Sequence, residues 1–139
     1  MGAEATARPI PNVDRISAPY WEAAAAGKLV LQWCARCSRY QFYPRALCKY
    51  CLHQQLEWRE VPGNGSVYSF TMVHMAPEAS FAADLPYILA LVELDEGPRL
   101  LTNLVDCSPE GLAIGQPVRA VFDRLREDIA LPKFRPLTR

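Results

Sequence analysis

The second half of the chain alternates between hydrophobic and polar positions in short runs, a pattern that predicts half-buried β-strands. In "SVYSFTMVHM" (66–75) the even-numbered side chains, which include Tyr68, Phe70 and His74, fall on one face of such a strand. The odd-numbered side chains, which include Val67, fall on the other face. The run therefore predicts a strand with two distinct faces.

Four more segments of the second half predict strands. "PYILALVELDEG" and "RLLTNLVDC" predict a hairpin that turns through residues 95–98, because Gly and Pro separate two apolar runs there. "SPEGLAIGQ" predicts a short helical turn, and "PVRAVFDRLR" and "LPKFRPL" predict the last two strands. Five short strands with one irregular insertion predict a small closed barrel of the OB type.

The first half predicts an arm, a short helix and two strands. Residues 1–15 are rich in Pro and small side chains and predict an extended or disordered arm. "SAPYWEAAAAG" predicts a helix with Ser17 as its N-cap, Gly27 as its C-terminal stop, and Tyr20 and Trp21 as packing anchors. "LVLQWC" and "LEWREV" predict two paired strands, and "PGNGS" (62–66) predicts a turn or hinge before the barrel.

Between those two strands lies "CARCSRYQFYPRALCKYC", which holds two Cys-x-x-Cys pairs, Cys34/Cys37 and Cys48/Cys51. Each pair aims two sulfurs at one point, so two pairs close a tetrahedral site with zinc–sulfur bonds of about 2.3 Å. Four protein ligands leave no position for water, so the predicted metal is structural and holds together a ribbon too small for a core of its own.

The cysteines allow other interpretations. Zinc is favoured, but a rubredoxin-like iron stays open because thiolates suit both metals. A thioredoxin-like redox function requires a single pair near a βαβ unit, and neither condition holds. Cys107 ends a predicted strand and is interpreted as a small buried hydrophobe. The alternative is a catalytic cysteine with His74 as its partner.

The 139 residues carry zero formal net charge and half of them are hydrophobic, which predicts one compact unit or two small modules. The charges are segregated, because residues 28–59 have a formal charge of +5, residues 60–123 of −7 and residues 124–139 of +3. An acidic barrel is poorly suited to the phosphates of a nucleic acid. No apolar run approaches the roughly 20 residues of a membrane span, and the first residues lack the features of a signal peptide. We expect a cytoplasmic location and no membrane partner.

The sequence offers little for catalysis. It contains no nucleophile motif, no phosphate-binding loop and no set of metal ligands with an open position, and its only histidines are His53 and His74. We therefore expect no catalytic residues and no stand-alone enzyme.

The order of these features resembles the family of small acyl-CoA-associated proteins that join a rubredoxin-like zinc ribbon to an OB-fold. The resemblance extends from about Tyr20 to Pro136 and rests on "YWEAAAAGKLVLQWCARC", "FYPRALCKYC", "LEWREVPGNGSVYSFTMV", "PYILALVELDEGPRLLTNLV", "IGQPV" and "LPKFRP". One departure is "FYPR", where the family often has a Phe-Pro-Pro-Arg-like stretch. The resemblance implies a mainly β chain with an N-terminal arm and helix over 1–28, a zinc ribbon over 29–61 and a five-stranded OB-fold over 62–139.

The resemblance also implies a function. It implies a non-catalytic accessory subunit of a thiolase-superfamily complex that performs acyl transfer, condensation or retro-aldol chemistry on acyl-CoA, in lipid or steroid side-chain degradation. The implied partners are a thiolase-like or lipid-transfer-protein-like aldolase and a MaoC-type hydratase, with acyl-CoA at the shared interface. The metal ligands carried over by the resemblance are Cys34, Cys37, Cys48 and Cys51.

Four more residues are expected to contact a partner or CoA. Tyr43, Pro44 and Arg45 are expected at the tip of the ribbon. Phe81 belongs to the long segment "APEASFAADLPY" between the first two barrel strands. Such a loop either joins an interface or folds back over the barrel, and both outcomes stay open.

Zinc ribbons and OB-folds also bind single-stranded nucleic acid, which is the second hypothesis. The aromatic residues at positions 40, 42 and 43 lie among arginines at 36, 39 and 45, as that function requires. The acidic barrel argues against it, because a single-strand binder needs stacking aromatics in a basic groove.

Overall fold

A computed structural model describes residues 8–137 of the chain, which is mainly β as predicted. Helix α1 (Ala18–Ala25) precedes a three-stranded ribbon and a five-stranded barrel. The ribbon strands are β1 (Leu29–Cys34), β2 (Arg39–Gln41) and β3 (Leu56–Val61). The barrel strands are β4 (Asn64–Val73), β5 (Tyr87–Leu94), β6 (Arg99–Leu104), β7 (Pro117–Arg126) and β8 (Ile129–Pro136), with 3₁₀ turns at Ala79–Asp84 and Pro109–Gly111. None of the helices described is long and apolar enough to cross a membrane.

The strands form two sheets. In the ribbon, β1 lies between β2 and β3 and pairs with both antiparallel, so that Gln32 faces Gln41 on one side and Trp58 on the other. In the closed barrel the order is β4-β5-β6-β8-β7, and the one parallel pairing places Leu104 opposite Phe134. The predicted hairpin and the predicted barrel are both confirmed.

The barrel core follows the alternation along its strands. On β5 the even-numbered side chains from Ile88 to Leu94 are buried, and Phe134 of β8 is fully inaccessible. At about 25 cal/mol per Å² of apolar surface, burying a side chain as large as Phe134 contributes roughly 2–3 kcal/mol to folding. The odd-numbered positions of β5 point to the outside of the barrel.

A β-bulge in β4 breaks the alternation predicted for residues 66–75. The register of β4 against β5 shifts between Val67 and Ser69, so one extra residue stands on β4. Val67 is buried and Phe70 packs against the core, whereas Tyr68 is 44% exposed. The prediction that Tyr68 and Phe70 share a face is wrong, because one inserted residue reverses the phase of every side chain beyond it.

Helix α1 joins the two sheets. It packs against β1, β7 and β8, and Tyr20 and Trp21 are buried as predicted. Arg124 of β7 donates a hydrogen bond of 2.6 Å to the carbonyl of Ala25, where the unpaired carbonyls of a helix favour a cation. Gly27 has a φ of +80°, consistent with the predicted stop.

Ser17 is the N-cap residue of the helix, as predicted, but its side chain makes no capping hydrogen bond to the helix. Its Oγ accepts a hydrogen bond from the N–H of Asp14, and its own N–H donates to Asp14 Oδ1 at 2.7 Å. These two hydrogen bonds fix the chain just before the helix. They also occupy Oγ of Ser17, which would otherwise accept a hydrogen bond from an N–H group of the first helical turn.

The predicted turn or hinge at 62–66 is shorter than expected, because β4 already begins at Asn64. Only Pro62 and Gly63 separate β3 from β4, and the carbonyl of Gly63 accepts a hydrogen bond of 2.8 Å from Ala120 of β7. The ribbon therefore passes directly into the barrel, and the connection itself is bonded to the barrel.

Candidate metal centre

Two turns of the same geometry hold the four cysteines. The residue that follows each Cys-x-x-Cys pair has a left-handed backbone, with φ +58° at Ser38 and +65° at Leu52. The N–H of Ser38 donates to the carbonyl of Cys34 at 2.7 Å, and the N–H of Leu52 donates to the carbonyl of Cys48 at 2.8 Å. Each turn thus curls around its own pair of sulfurs.

The structure brings the four predicted sulfurs together. Sγ of Cys34 lies 3.6 Å from Sγ of Cys51, and Sγ of Cys37 lies 3.6 Å from Sγ of Cys48. All four sulfurs lie within 4.8 Å of one another. A tetrahedron with metal–sulfur bonds of about 2.3 Å has edges of about 3.8 Å, so the four residues fit a single metal ion.

Local hydrogen bonds polarise the cluster. Desolvation raises the pKa of Cys48, but the backbone N–H groups of Cys51 and Tyr50 outweigh it and lower that pKa to about 6. Desolvation and hydrogen bonds with the neighbouring sulfurs, Cys48 first among them, raise the pKa of Cys37 to about 12. One thiolate therefore forms readily in the metal-free cluster, whereas further negative charge requires a cation. Such a set of soft donors suits zinc or iron.

A buried pair of glutamines supports the second cysteine turn. The side chains of Gln32 and Gln41 are 5% and 2% exposed, and Nε2 of Gln41 donates to Oε1 of Gln32 at 2.7 Å. Gln41 also accepts from the N–H of Lys49 at 2.8 Å and donates to the carbonyl of Leu47 at 3.3 Å. It thereby fixes the backbone on both sides of Cys48.

Gln32 completes this network by binding the backbone of Arg45 in both directions. Its Nε2 donates to the Arg45 carbonyl at 2.8 Å, and its Oε1 accepts from the Arg45 N–H at 2.9 Å. Neither glutamine was predicted as a site residue. The available signal was a single polar residue, Gln32, within the apolar run of β1.

Two of the predicted contact residues are exposed beside this network. Tyr43 is 41% exposed, and its ring centre lies 6.3 Å from that of Tyr20. The side chain of Arg45 is exposed in a shallow groove shared with Trp58. Pro44 is buried, so its ring supports the loop from within.

Phe81 lies apart from these residues, on the barrel. It is half-buried, and its ring centre lies 6.3 Å from that of Tyr87 on β5. In the chain by itself Phe81 therefore lies against the barrel, and its contact with a partner or CoA stays a prediction.

Cys107 lies beyond β6, which ends at Leu104, so the prediction that it ends a strand is wrong, but it matches its interpretation as a packing residue. It is half-buried and packs against the core cluster. Desolvation and the neighbouring charge of Asp106 raise the pKa of its thiol. A raised pKa keeps the thiol protonated, which disfavours a nucleophile.

Two family models match adjoining parts of the chain. Residues 21–57 match the model described as "ChsH2, rubredoxin-like zinc ribbon domain". Residues 58–123 match the model described as "ChsH2, C-terminal OB-fold domain".

Related proteins agree with these matches. A "DUF35 domain-containing scaffold protein" of Methanocaldococcus jannaschii is 40% identical over 97 residues, which cover 68% of this chain and 67% of the relative. A "Probable enoyl-CoA hydratase alpha subunit" of Thermomonospora curvata is 42% identical over 131 residues. That match covers 93% of this chain and 40% of the relative, so the chain spans well under half of the hydratase subunit.

Among solved structures, a chain named "Ltp2-ChsH2(DUF35) aldolase" superposes with a TM-score of 0.80 and 39% sequence identity. The match covers 91% of this chain and 98% of that one. With both family models, these relatives and this structure in agreement, the chain belongs to the ChsH2-type family of DUF35 proteins, which join a rubredoxin-like zinc ribbon to an OB-fold.

Proposed function

We propose that the chain is a non-catalytic accessory subunit of a thiolase-superfamily complex that acts on acyl-CoA. The observation that carries the proposal is the structural similarity to the chain named "Ltp2-ChsH2(DUF35) aldolase". The match covers 98% of that solved chain. The name of the archaeal relative, a scaffold protein, supports the same role. In this role the chain stabilises the enzyme and helps to shape or bridge the channel for acyl-CoA.

The chemistry of the described residues, 8–137, favours the role of a non-catalytic accessory subunit. Four of the five cysteines form one closed cluster, and the fifth, Cys107, has a raised pKa. A cluster with four protein ligands has no open position for a substrate. Bond-making on a thioester would therefore depend on residues of a partner.

We propose zinc as the ion of the cysteine cluster. The sulfur spacings fit zinc–thiolate bonds, and zinc forms closed structural sites of this kind in small ribbons. A bound divalent ion would offset the desolvation and the sulfur–sulfur hydrogen bonds that hold the pKa of Cys37 high, so that all four sulfurs serve as thiolates.

We propose that Tyr43 and Arg45 contact the partner or CoA. Gln32 forms two hydrogen bonds with the backbone of Arg45 in the loop that carries them, yet both side chains are exposed. An arginine at a fixed position suits a carboxylate or a phosphate, because its planar guanidinium donates two parallel hydrogen bonds. The formal +5 of residues 28–59 favours an acidic partner surface or the phosphates of CoA.

A second candidate partner is a hydratase, which the 42% identity to a hydratase alpha subunit favours. Because the chain covers only 40% of that relative, it corresponds to one part of such a subunit. The same fold can therefore serve as a domain within a longer hydratase subunit or as a separate accessory subunit.

The proposal is tested by affinity purification of the tagged full-length chain from source cells, with and without nuclease, followed by mass spectrometry. We expect a thiolase-like or hydratase-like enzyme in stoichiometric amount, unaffected by nuclease. Recovery of nucleic-acid proteins alone, lost after nuclease treatment, would support the second hypothesis from the sequence instead. Turnover of acyl-CoA by the purified chain alone would contradict a non-catalytic role.

The interface is tested with Arg45→Ala and a matched variant, Arg36→Ala, which removes the same charge from another exposed position of the ribbon. We expect Arg45→Ala to weaken assembly or CoA binding by about tenfold to a hundredfold, the cost of losing a charge-assisted hydrogen-bond pair. Arg36→Ala should lie close to the wild type. Equal effects of both variants would show that the arginines act only through general charge.

A further inference from the structure

A cavity of about 530 Å³ lies on the outside of the barrel, away from the metal cluster. Its floor consists of side chains that point outward from four strands, namely Tyr87 and Leu89 of β5, Asn103 of β6, Asp123 and Leu125 of β7, and Leu131 and Lys133 of β8. Neighbouring positions on the same strands, such as Ile88 and Phe134, point inward to the core. A volume of this size is typical of sites for small organic molecules.

Two segments outside the barrel strands close the cavity from above. The 3₁₀ turn Ala79–Asp84 contributes Phe81 and Asp84, and the arm before the helix contributes Arg8 and Pro9. The guanidinium of Arg8 lies 5.6 Å from the ring centre of Phe81 and forms an ion pair with Asp84. The arm and the turn thus hold each other over the floor.

The charges that line the cavity neutralise one another. Asp84, Arg8, Asp123 and Lys133 form a continuous chain of alternating sign, with Arg8 3.9 Å and Lys133 2.7 Å from Oδ2 of Asp123. Lys133 is mostly buried, with a side-chain exposure of 13%. A charged ligand would break one of these pairs and leave an uncompensated charge in a partly enclosed space, which is costly.

The uncharged part of the lining is apolar except for the hydroxyl group of Tyr87 and the amide of Asn103. Nδ2 of Asn103 donates a hydrogen bond of 3.0 Å to the carbonyl of Ile88. Its Oδ1 accepts no hydrogen bond from the described residues, which leaves an uncharged acceptor in the cavity wall. A hydroxyl group of a ligand would satisfy this oxygen without disturbing the ion pairs.

We propose that this cavity is a binding site for a small, uncharged apolar molecule that carries a hydroxyl group. The apolar wall supplies most of the binding energy through burial, and Asn103 orients the hydroxyl group. The site belongs to this chain alone, so the inference does not depend on the proposed enzyme partner.

The test is an NMR titration of the metal-loaded, full-length chain with methyl-labelled Leu, Val and Ile, using three probes of equal chain length. The probes are octan-1-ol, octanoate and octylammonium. We expect octan-1-ol to bind about tenfold or more tightly than either ion, with shifts concentrated at Leu89, Leu125 and Leu131. Equal affinities for the three probes, or shifts confined to the exposed leucines elsewhere, would overturn the proposal.

Two variants locate the binding. Leu131→Trp fills the cavity and should reduce octan-1-ol binding by at least about tenfold. The matched control, Leu101→Trp, adds the same side chain at a residue that is 67% exposed and does not line the cavity, and binding should be unchanged. If Leu131→Trp does not fold, Leu89→Phe serves as the filling variant. Wild-type binding by a folded filling variant would refute the site.

Discussion

The buried glutamine pair leads to a quantitative prediction for metal binding. Replacing Gln41 with methionine keeps nearly the same side-chain volume but removes all the hydrogen bonds of the amide. The N–H of Lys49 would lose its acceptor, and the 2.7 Å bond to Gln32 would vanish. The three hydrogen bonds of Gln41, to Lys49, Gln32 and Leu47, contribute about 1 kcal/mol each, so Gln41→Met should destabilise the ribbon by about 3 kcal/mol.

This loss should be visible as weaker metal binding. Folding of a small ribbon and binding of its metal are coupled, so the free energy lost in folding is subtracted from the binding free energy. At 1.4 kcal/mol per tenfold change, about 3 kcal/mol corresponds to a zinc dissociation constant raised about a hundredfold. A titration against a chromophoric zinc chelator of known affinity measures it.

Gln55→Met is the matched control, because Gln55 is exposed in the same ribbon and outside the glutamine network. It should bind zinc as the wild type does. If Gln41→Met kept its zinc affinity within about threefold of the wild type, or if both variants lost affinity equally, the hydrogen bonds of Gln41 would have no role in presenting Cys48.

Three further changes have expected outcomes. The double variant Cys34→Ser, Cys48→Ser should contain no metal by elemental analysis and should lose partner binding, whereas full complex activity without metal would contradict a structural ion. Gly65→Ala should lower stability by more than about 2 kcal/mol in chemical denaturation, because its Cβ would clash with the backbone oxygen of Glu93 on β5. In the matched control Gly111→Ala the added Cβ meets nothing within 4 Å, and stability should be nearly unchanged. In the metal-free protein, thiolate absorbance should rise near pH 6 as Cys48 ionises, whereas Cys37 should stay protonated up to about pH 12. Because the pKa of Cys48 is lowered in the folded protein, ionised Cys48 stabilises the fold at high pH, and this stabilisation is lost as the pH falls through about 6. A single ionisation near the ordinary thiol pKa would refute this assignment.

The features that depend on local sequence were predictable. Cys-x-x-Cys spacing determines where two sulfurs point, so both cysteine turns followed from the sequence. The hairpin of β5 and β6 also followed, because its turn residues separate two apolar runs. The OB-type barrel was predicted from the number of strands as well as from the alternation within each strand.

The features that depend on contacts between distant residues were not predictable. Gln32 and Gln41 are paired only because β1 and β2 align them, and the sequence gives no register for so short a strand as β2. The β-bulge at Tyr68 leaves no mark in the alternation of "SVYSFTMV", since apolar side chains occur in both phases. The ion pair that closes the cavity outside the barrel joins Arg8 to Asp84, which is more than 70 residues away, and no local pattern indicates this contact.

The two-residue connection between ribbon and barrel has a consequence for the living cell. The carbonyl of Gly63 accepts a hydrogen bond from Ala120 of the barrel, so the connection contains no flexible linker. Local unfolding of the ribbon would therefore disturb the barrel directly. If zinc is the ion, as proposed, a shortage of zinc in the cell would destabilise the barrel together with the ribbon. If the chain supports an enzyme as proposed, the output of that enzyme should follow the zinc supply even when the enzyme itself contains no metal.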